Sequence, residues 1–159
     1  MCIRKALMAG PVLAVAALGM GGHASAQSVS LSAVLLGGNE CNSTAPPAGP
    51  ICRKGDPDAF GRATITFPTA TTICVTLQVD NLAGATAAHI HSGRETVNGA
   101  IVFALPPPSA PGGGNPGVSA ICGTPPAGLP AALRANPANF YINVHNGAFP
   151  AGAMRGQLF

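Results

Sequence analysis

Two histidines one residue apart, His89 and His91 in Ala87-Ala88-His89-Ile90-His91-Ser92-Gly93, are the residues of this chain best suited to chemistry. Side chains alternate between faces along a β-strand, so both imidazoles share one face while Ala88 and Ile90 take the other. His145 ends Tyr141-Ile142-Asn143-Val144-His145, where Ile142 and Val144 turn inward and His145 outward by the same parity. If the two strands are neighbours in one sheet, the three rings converge. Three neutral imidazoles can hold one copper or zinc ion, with water or another donor in fourth place. The competing reading is structural, with the rings bonded to backbone carbonyls or to one another at the strand ends. Asn143 shares the face of His145, and Arg155 and Gln157 share a face of the last strand. These polar residues either orient a site and bind a ligand or make satisfied hydrogen bonds at the sheet surface.

Other chemistry has less to work with, and no catalytic residue is assigned. The carboxylates are Glu40, Asp56, Asp58, Asp80 and Glu95, of which only Asp56 and Asp58 are close in sequence, inside a Gly/Pro-rich loop. A paired-carboxylate hydrolase built on them is the weakest of three functional readings. There is no Gly-x-Ser-x-Gly elbow, and Ser92 lies on the wrong side of its strand to act with His91. Gly112-Gly113-Gly114 sits among prolines without a Lys, which reads as a loop and not as a phosphate cradle.

The elements that position these residues start after residue 26. Arg4-Lys5, an uncharged run from Ala6 to Gly22 and the ending Ala24-Ser25-Ala26 form the three parts of a secretory signal peptide, with cleavage expected after Ala26. The uncharged run contains Pro11 and four glycines, which disfavours a membrane anchor. The expected location is therefore secreted or periplasmic, with no transmembrane anchor in the mature chain, residues 27–159. With 47% hydrophobic residues the chain can bury a core, although Gly (21) and Pro (16) are abundant enough to demand long loops. A net charge of +3, two units of it from Arg4 and Lys5, leaves no basic surface for nucleic acid. Removing Cys2 leaves Cys41, Cys52, Cys74 and Cys122, an even number that reads as two disulfides in an exported chain.

Period-two alternation is clearest where Ile73, Val75, Leu77 and Val79 interleave with Cys74, Thr76, Gln78 and Asp80. Shorter runs near 28–36, 60–67, 86–91, 99–105, 139–146 and 152–159 bring the expectation to about seven strands in an all-β, immunoglobulin-like antiparallel β-sandwich or barrel. Loop insertions are expected at 37–58 and 106–128, and one short helix at 129–136, with Pro130 in its first turn and Pro137 ending it. That layout favours Cys41–Cys52 across the first insertion, worth roughly 3 kcal/mol, and Cys74–Cys122 across the second, worth roughly 4 kcal/mol. Cys74 lies on the polar face of its strand, so the second bridge would pin the 106–128 loop outside the sheet. The two crossed pairings stay open.

The chain resembles the CHRD domain family, known from chordin and from many exported microbial proteins. Ala88-His89-Ile90-His91-Ser92-Gly93, Asn98-Gly99-Ala100-Ile101-Val102-Phe103, Tyr141-Ile142-Asn143-Val144-His145 and Phe149-Pro150-Ala151-Gly152-Ala153-Met154-Arg155-Gly156-Gln157-Leu158 carry the resemblance. Leu31 to Glu40 adds a weaker match, so the likeness covers about residues 29–159. It implies a β-sandwich or barrel of immunoglobulin-like type. Where many members carry a Glu two residues before the Arg, this chain has Ala153, which removes a carboxylate partner for Arg155. His-x-His also resembles the copper-binding strand of copper-zinc superoxide dismutases, but the mature chain has too few histidines for a two-metal site of that kind. The leading expectation is an exported, non-enzymatic module that binds a protein or envelope polymer; its rival is a small copper or zinc protein that uses His89, His91 and His145.

Overall fold

The computed structural model describes residues 29–41, 55–110 and 116–159. The expected signal peptide at 1–26 lies outside them, as does Cys52 and with it the expected Cys41–Cys52 bridge. Alternation becomes antiparallel pairing throughout: β1 (Ser30–Leu36), β2 (Phe60–Thr66), β3 (Ile73–Asp80), β4 (Ala85–Ser92), β5 (Ile101–Leu105), β6 (Gly117–Gly123), β7 (Phe140–Asn146) and β8 (Met154–Gln157). They form one eight-stranded sheet in the order β5-β4-β7-β8-β1-β2-β3-β6, curled until the edge strands β5 and β6 come into contact as a nearly closed barrel. The all-β expectation stands, with one more strand than the alternation suggested.

Inward-facing positions of every layer meet in one core. Leu35, Ile65, Leu77, Ile90, Ile142 and Met154 are each at most 1% exposed. Each buried aliphatic side chain of this size contributes about 1.5–3 kcal/mol. The sheet closes tightly around them where β8 crosses β1: a Cβ on Gly156 would lie 2.4 Å from the Val34 carbonyl oxygen, so only glycine permits that approach. The helix α1 (Leu129–Ala135) buries Leu129, Pro130 and Leu133, carries Pro in its first turn as expected, and gives way to a 3-10 turn at Pro137–Asn139. No helix among the described residues is long and apolar enough to cross a membrane.

The 106–128 segment corrects the sequence reading. Instead of one long loop it contains β6, paired with β3 from Ile73↔Gly123 to Val79↔Gly117. Gly117, Ser119, Ala120 and Gly123 are too small to display an apolar alternation, so the strand is defined by its ladder with β3 and not by its own pattern. Cys74 and Cys122 face each other in that ladder, with Cα atoms 4.0 Å apart and the disulfide formed. The bridge lies toward the outside of the sheet, as parity required, but it joins two strands and does not tether a loop.

Candidate functional site

β4, β7 and β8 are consecutive in the sheet, and their registers bring the chemical residues into rows. His89 pairs with Asn143 and Asn143 with Arg155; His91 pairs with Tyr141 and Tyr141 with Gln157; His145 pairs with Ala87. Directly paired residues of an antiparallel sheet share a face, so all of these side chains lie opposite the Ile90–Ile142 core face. A register shift in the β4–β5 ladder falls between Ile90 and His91, where a bulge re-aims the strand end that carries His91.

One ring nitrogen from each of His89, His91 and His145 lies within 4.8 Å of the other two. His89 Nδ1 is 3.2 Å from His145 Nε2, and the His89 ring meets the other two nearly edge-on, with centroids 5.6 Å from His91 and 5.1 Å from His145. The tautomers follow from the acceptors. His91 Nδ1 lies 2.9 Å from the Gly99 carbonyl oxygen and His145 Nδ1 lies 3.0 Å from that of Pro150. A carbonyl can only accept, so both Nδ1 atoms carry hydrogen and both Nε2 atoms of the neutral rings present lone pairs. His89 Nδ1–H then donates to His145 Nε2. An ion entering the cluster would replace that hydrogen, with the His89 proton moving to Nε2. Backbone carbonyls that fix the outer nitrogen of a histidine are the usual support of a metal ligand.

Parity alone would leave this face exposed, and the structure corrects that. The connection 93–100 folds across it, leaving Tyr141, Asn143 and Arg155 only 2–3% exposed. The Arg155 guanidinium lies 3.3 Å over the Tyr141 ring centroid, donates to the Arg94 carbonyl at 2.7 Å and reaches Asn98 Oδ1 at 3.4 Å. Tyr141 in turn stacks on His91, and its hydroxyl accepts from the Gly99 N–H at 3.2 Å. Gly99 is held so closely that a Cβ would fall 1.4 Å from the Ser92 carbonyl oxygen. Asn98 donates to the Cys41 carbonyl, tying this cover to the segment that follows β1. Gln157 Nε2 lies 2.8 Å from the carbonyl oxygens of Gly93, Ala138 and Phe140, which clamps the chain beside the site.

Burial is the main force on the titration of the site. It lowers the pKa of His89, aided by His145 and His91 and opposed by the Asn143 amide. Burial likewise lowers His91, against the Gly99 carbonyl and Asn143 and with the help of Arg155. It lowers His145 too, against the Pro150 carbonyl. All three rings are thus biased toward the neutral form that binds metal. Burial raises Tyr141, while the Arg155 charge opposes it. Arg155 is itself lowered by burial, with Tyr141, Glu40 and Glu95 holding its proton.

Glu40 is a buried carboxylate that acts on Arg155 electrostatically. It is 2% exposed, its Oε1 accepts from the Cys41 N–H at 3.2 Å, and burial raises its pKa while Arg155 lowers it. That carboxylate comes from the segment after β1, and the two charges hold each other's ionised forms without an ion pair. Sequence reasoning missed Tyr141, Gly99, Asn98 and Arg94. Parity on β7 already put Tyr141 on the histidine face, but nothing in the sequence announces that the 93–100 connection would cover it. Asp56 and Asp58 do sit together before β2, and burial followed by the Asp58 neighbour raises the Asp56 pKa. Asp58 is exposed and the Asp56 backbone N–H is engaged with the Ala153 carbonyl at 2.7 Å.

The family model described as CHRD domain matches residues 31–158. No curated protein and no solved structure matches the chain.

Proposed function

The chain belongs to the CHRD domain family, and on that footing we propose that it is an exported, non-enzymatic module that holds one copper or zinc ion through His89, His91 and His145. The observation that carries the reading is the convergence of three imidazole nitrogens within 4.8 Å, two of them with the outer nitrogen already committed to a carbonyl. Metal–nitrogen bonds of about 2.0–2.1 Å in tetrahedral geometry place the nitrogens about 3.4 Å apart, within reach of small side-chain rotations here. At equal availability copper(II) outcompetes zinc on imidazole ligands. Export is supported by the basic start, the uncharged run and the Ala24-Ser25-Ala26 ending, and a secreted or periplasmic chain meets metal outside the cytoplasm.

Elemental analysis of untagged protein, followed by copper and zinc titration, tests the assignment. Near-stoichiometric uptake that vanishes in a His89→Ala, His91→Ala, His145→Ala variant is expected. A hundredfold excess of free metal over Kd should add about 2.7 kcal/mol of stability. Equal uptake by variant and wild type, or none by either, would leave the rings structural.

A second reading, binding of a protein or envelope polymer, is favoured by a separate feature. Val34, Leu36 and Phe60 are 43–56% exposed on adjoining positions of β1 and β2, an apolar strip on the outside of the sheet. Calorimetric titration with envelope polymers, compared between wild type and a Val34→Ser, Phe60→Ser variant, tests that surface; indistinguishable heats would remove it.

A further inference from the structure

Resting on the copper or zinc reading, we propose that the bound metal keeps an exchangeable water in its fourth position, held by the side-chain carbonyl of Asn143, so that the centre accepts small monodentate ligands and favours those that carry a proton. Asn143 is 3% exposed, and its Oδ1 has no hydrogen-bond partner among the described residues. His91 Nε2 is buried and without a partner as well. The Asn143 amide stands opposite His89 in the ladder, and it acts on both the His89 and the His91 rings. In the metal-free tautomers Asn143 Oδ1 and His91 Nε2 are thus two buried acceptors of one cluster, neither of them given a donor. Buried acceptors are normally satisfied, and an unsatisfied pair marks a place where a cation and a hydrogen donor belong.

The ion answers the ring and leaves the carbonyl. Asn143 lies between Tyr141 and His145 on its face of β7 and opposite His89 on β4, so its carbonyl borders the same cluster as the rings. Three protein ligands and one open position is the arrangement in which a metal exchanges its bound water. His89 and His145 are only partly buried, so that position communicates with solvent. A carbonyl oxygen accepts but cannot donate, so it supports water, hydroxide or an amine on the metal and repels an aprotic anion.

Copper-loaded full chain is titrated with azide, following the ligand-to-copper charge-transfer band, while the relaxation rate of bulk water protons reports exchangeable water on the metal. The wild type should enhance water relaxation and lose the enhancement as azide binds. Asn143→Leu should keep its copper and bind azide about tenfold more tightly, since one hydrogen bond to the competing water is gone. Asn143→Asp, which retains an acceptor, should keep the enhancement and bind azide no more tightly than the wild type. A wild type that shows neither relaxation enhancement nor an azide band would mean a closed site, and equal azide affinity in Asn143→Leu and wild type would mean that the carbonyl does not face the ligand. Either result overturns the proposal while leaving the three-histidine site standing; failure of the wild type to bind copper overturns both.

Discussion

The His91 ring lies flat against that of Tyr141, with centroids 4.7 Å apart and planes only 10° from parallel. The contact joins the histidine cluster to the buried Arg155, because the guanidinium covers the same tyrosine. It also closes a small circuit: the Tyr141 hydroxyl accepts from the Gly99 N–H, and the Gly99 carbonyl accepts from His91 Nδ1–H. His91 is therefore oriented by a stack and a hydrogen bond that both depend on Tyr141.

Tyr141→Phe keeps the stack and removes the acceptor. The expected cost is about 1 kcal/mol of folding stability in urea denaturation. Metal affinity should fall about tenfold in a competition titration, the usual effect of loosening the support behind a ligand. Unchanged affinity would show that the Gly99 carbonyl holds His91 without the tyrosine.

Gly99→Ala should be among the most damaging single changes in the chain. The new methyl would meet the Ser92 carbonyl at 1.4 Å, and relief requires moving the segment that supplies the His91 acceptor. A loss of at least about 2 kcal/mol is expected, together with weakened metal binding in whatever protein still folds. A circular dichroism melt of the metal-free variant checks the first part, and a wild-type midpoint would refute it.

Arg155→Lys retains the charge but not the planar group that stacks on Tyr141 while donating to the Arg94 carbonyl and Asn98. A lysine ammonium cannot serve these partners in one geometry. The Arg94 carbonyl and Asn98 Oδ1 are left short of donors and the Tyr141 ring loses its stacked partner, and a cost of about 1–3 kcal/mol follows. Chemical denaturation of the two proteins at pH 7 measures it.

Metal-free protein should lose stability as the pH is lowered from 7 toward 5. All three histidines of the cluster have folded-state pKa values below the ordinary 6.5, chiefly through burial. Between the folded and unfolded values the unfolded chain binds more protons, so stability is fully present above pH 6.5 and is lost as the pH falls through the folded values. The triple His→Ala variant should show a flatter profile over the same range. Denaturant midpoints in the presence of EDTA at half-unit pH intervals test this, and parallel profiles for the two proteins would contradict it.

Much of this site can be read directly from the residues. Ile90 and Ile142 flanked by polar neighbours announce inward faces, and parity then places His89 with His91 and Asn143 with His145. Cys74 on the polar side of β3 is enough to anticipate a bridge outside the sheet. β6 escaped because Gly117, Ser119, Ala120 and Gly123 bury little apolar surface and show no period. Its pairing depends on β3, which is 48 residues away between the bridged cysteines.

Local alternation by itself determined which residues can share a face, because side-chain direction along a strand is a property of adjacent peptides. Which strands lie side by side is a different matter. The order β4-β7-β8 that sets His89 beside Asn143 and Asn143 beside Arg155 comes from long-range packing of the whole barrel. Only that packing lays residues 93–100 over Tyr141, buries Glu40 within electrostatic reach of Arg155, and buries the Asn143 carbonyl beside the imidazoles. Contacts between segments far apart in sequence are selected by the total area they bury and the polar groups they satisfy together, and no short stretch of residues carries that sum.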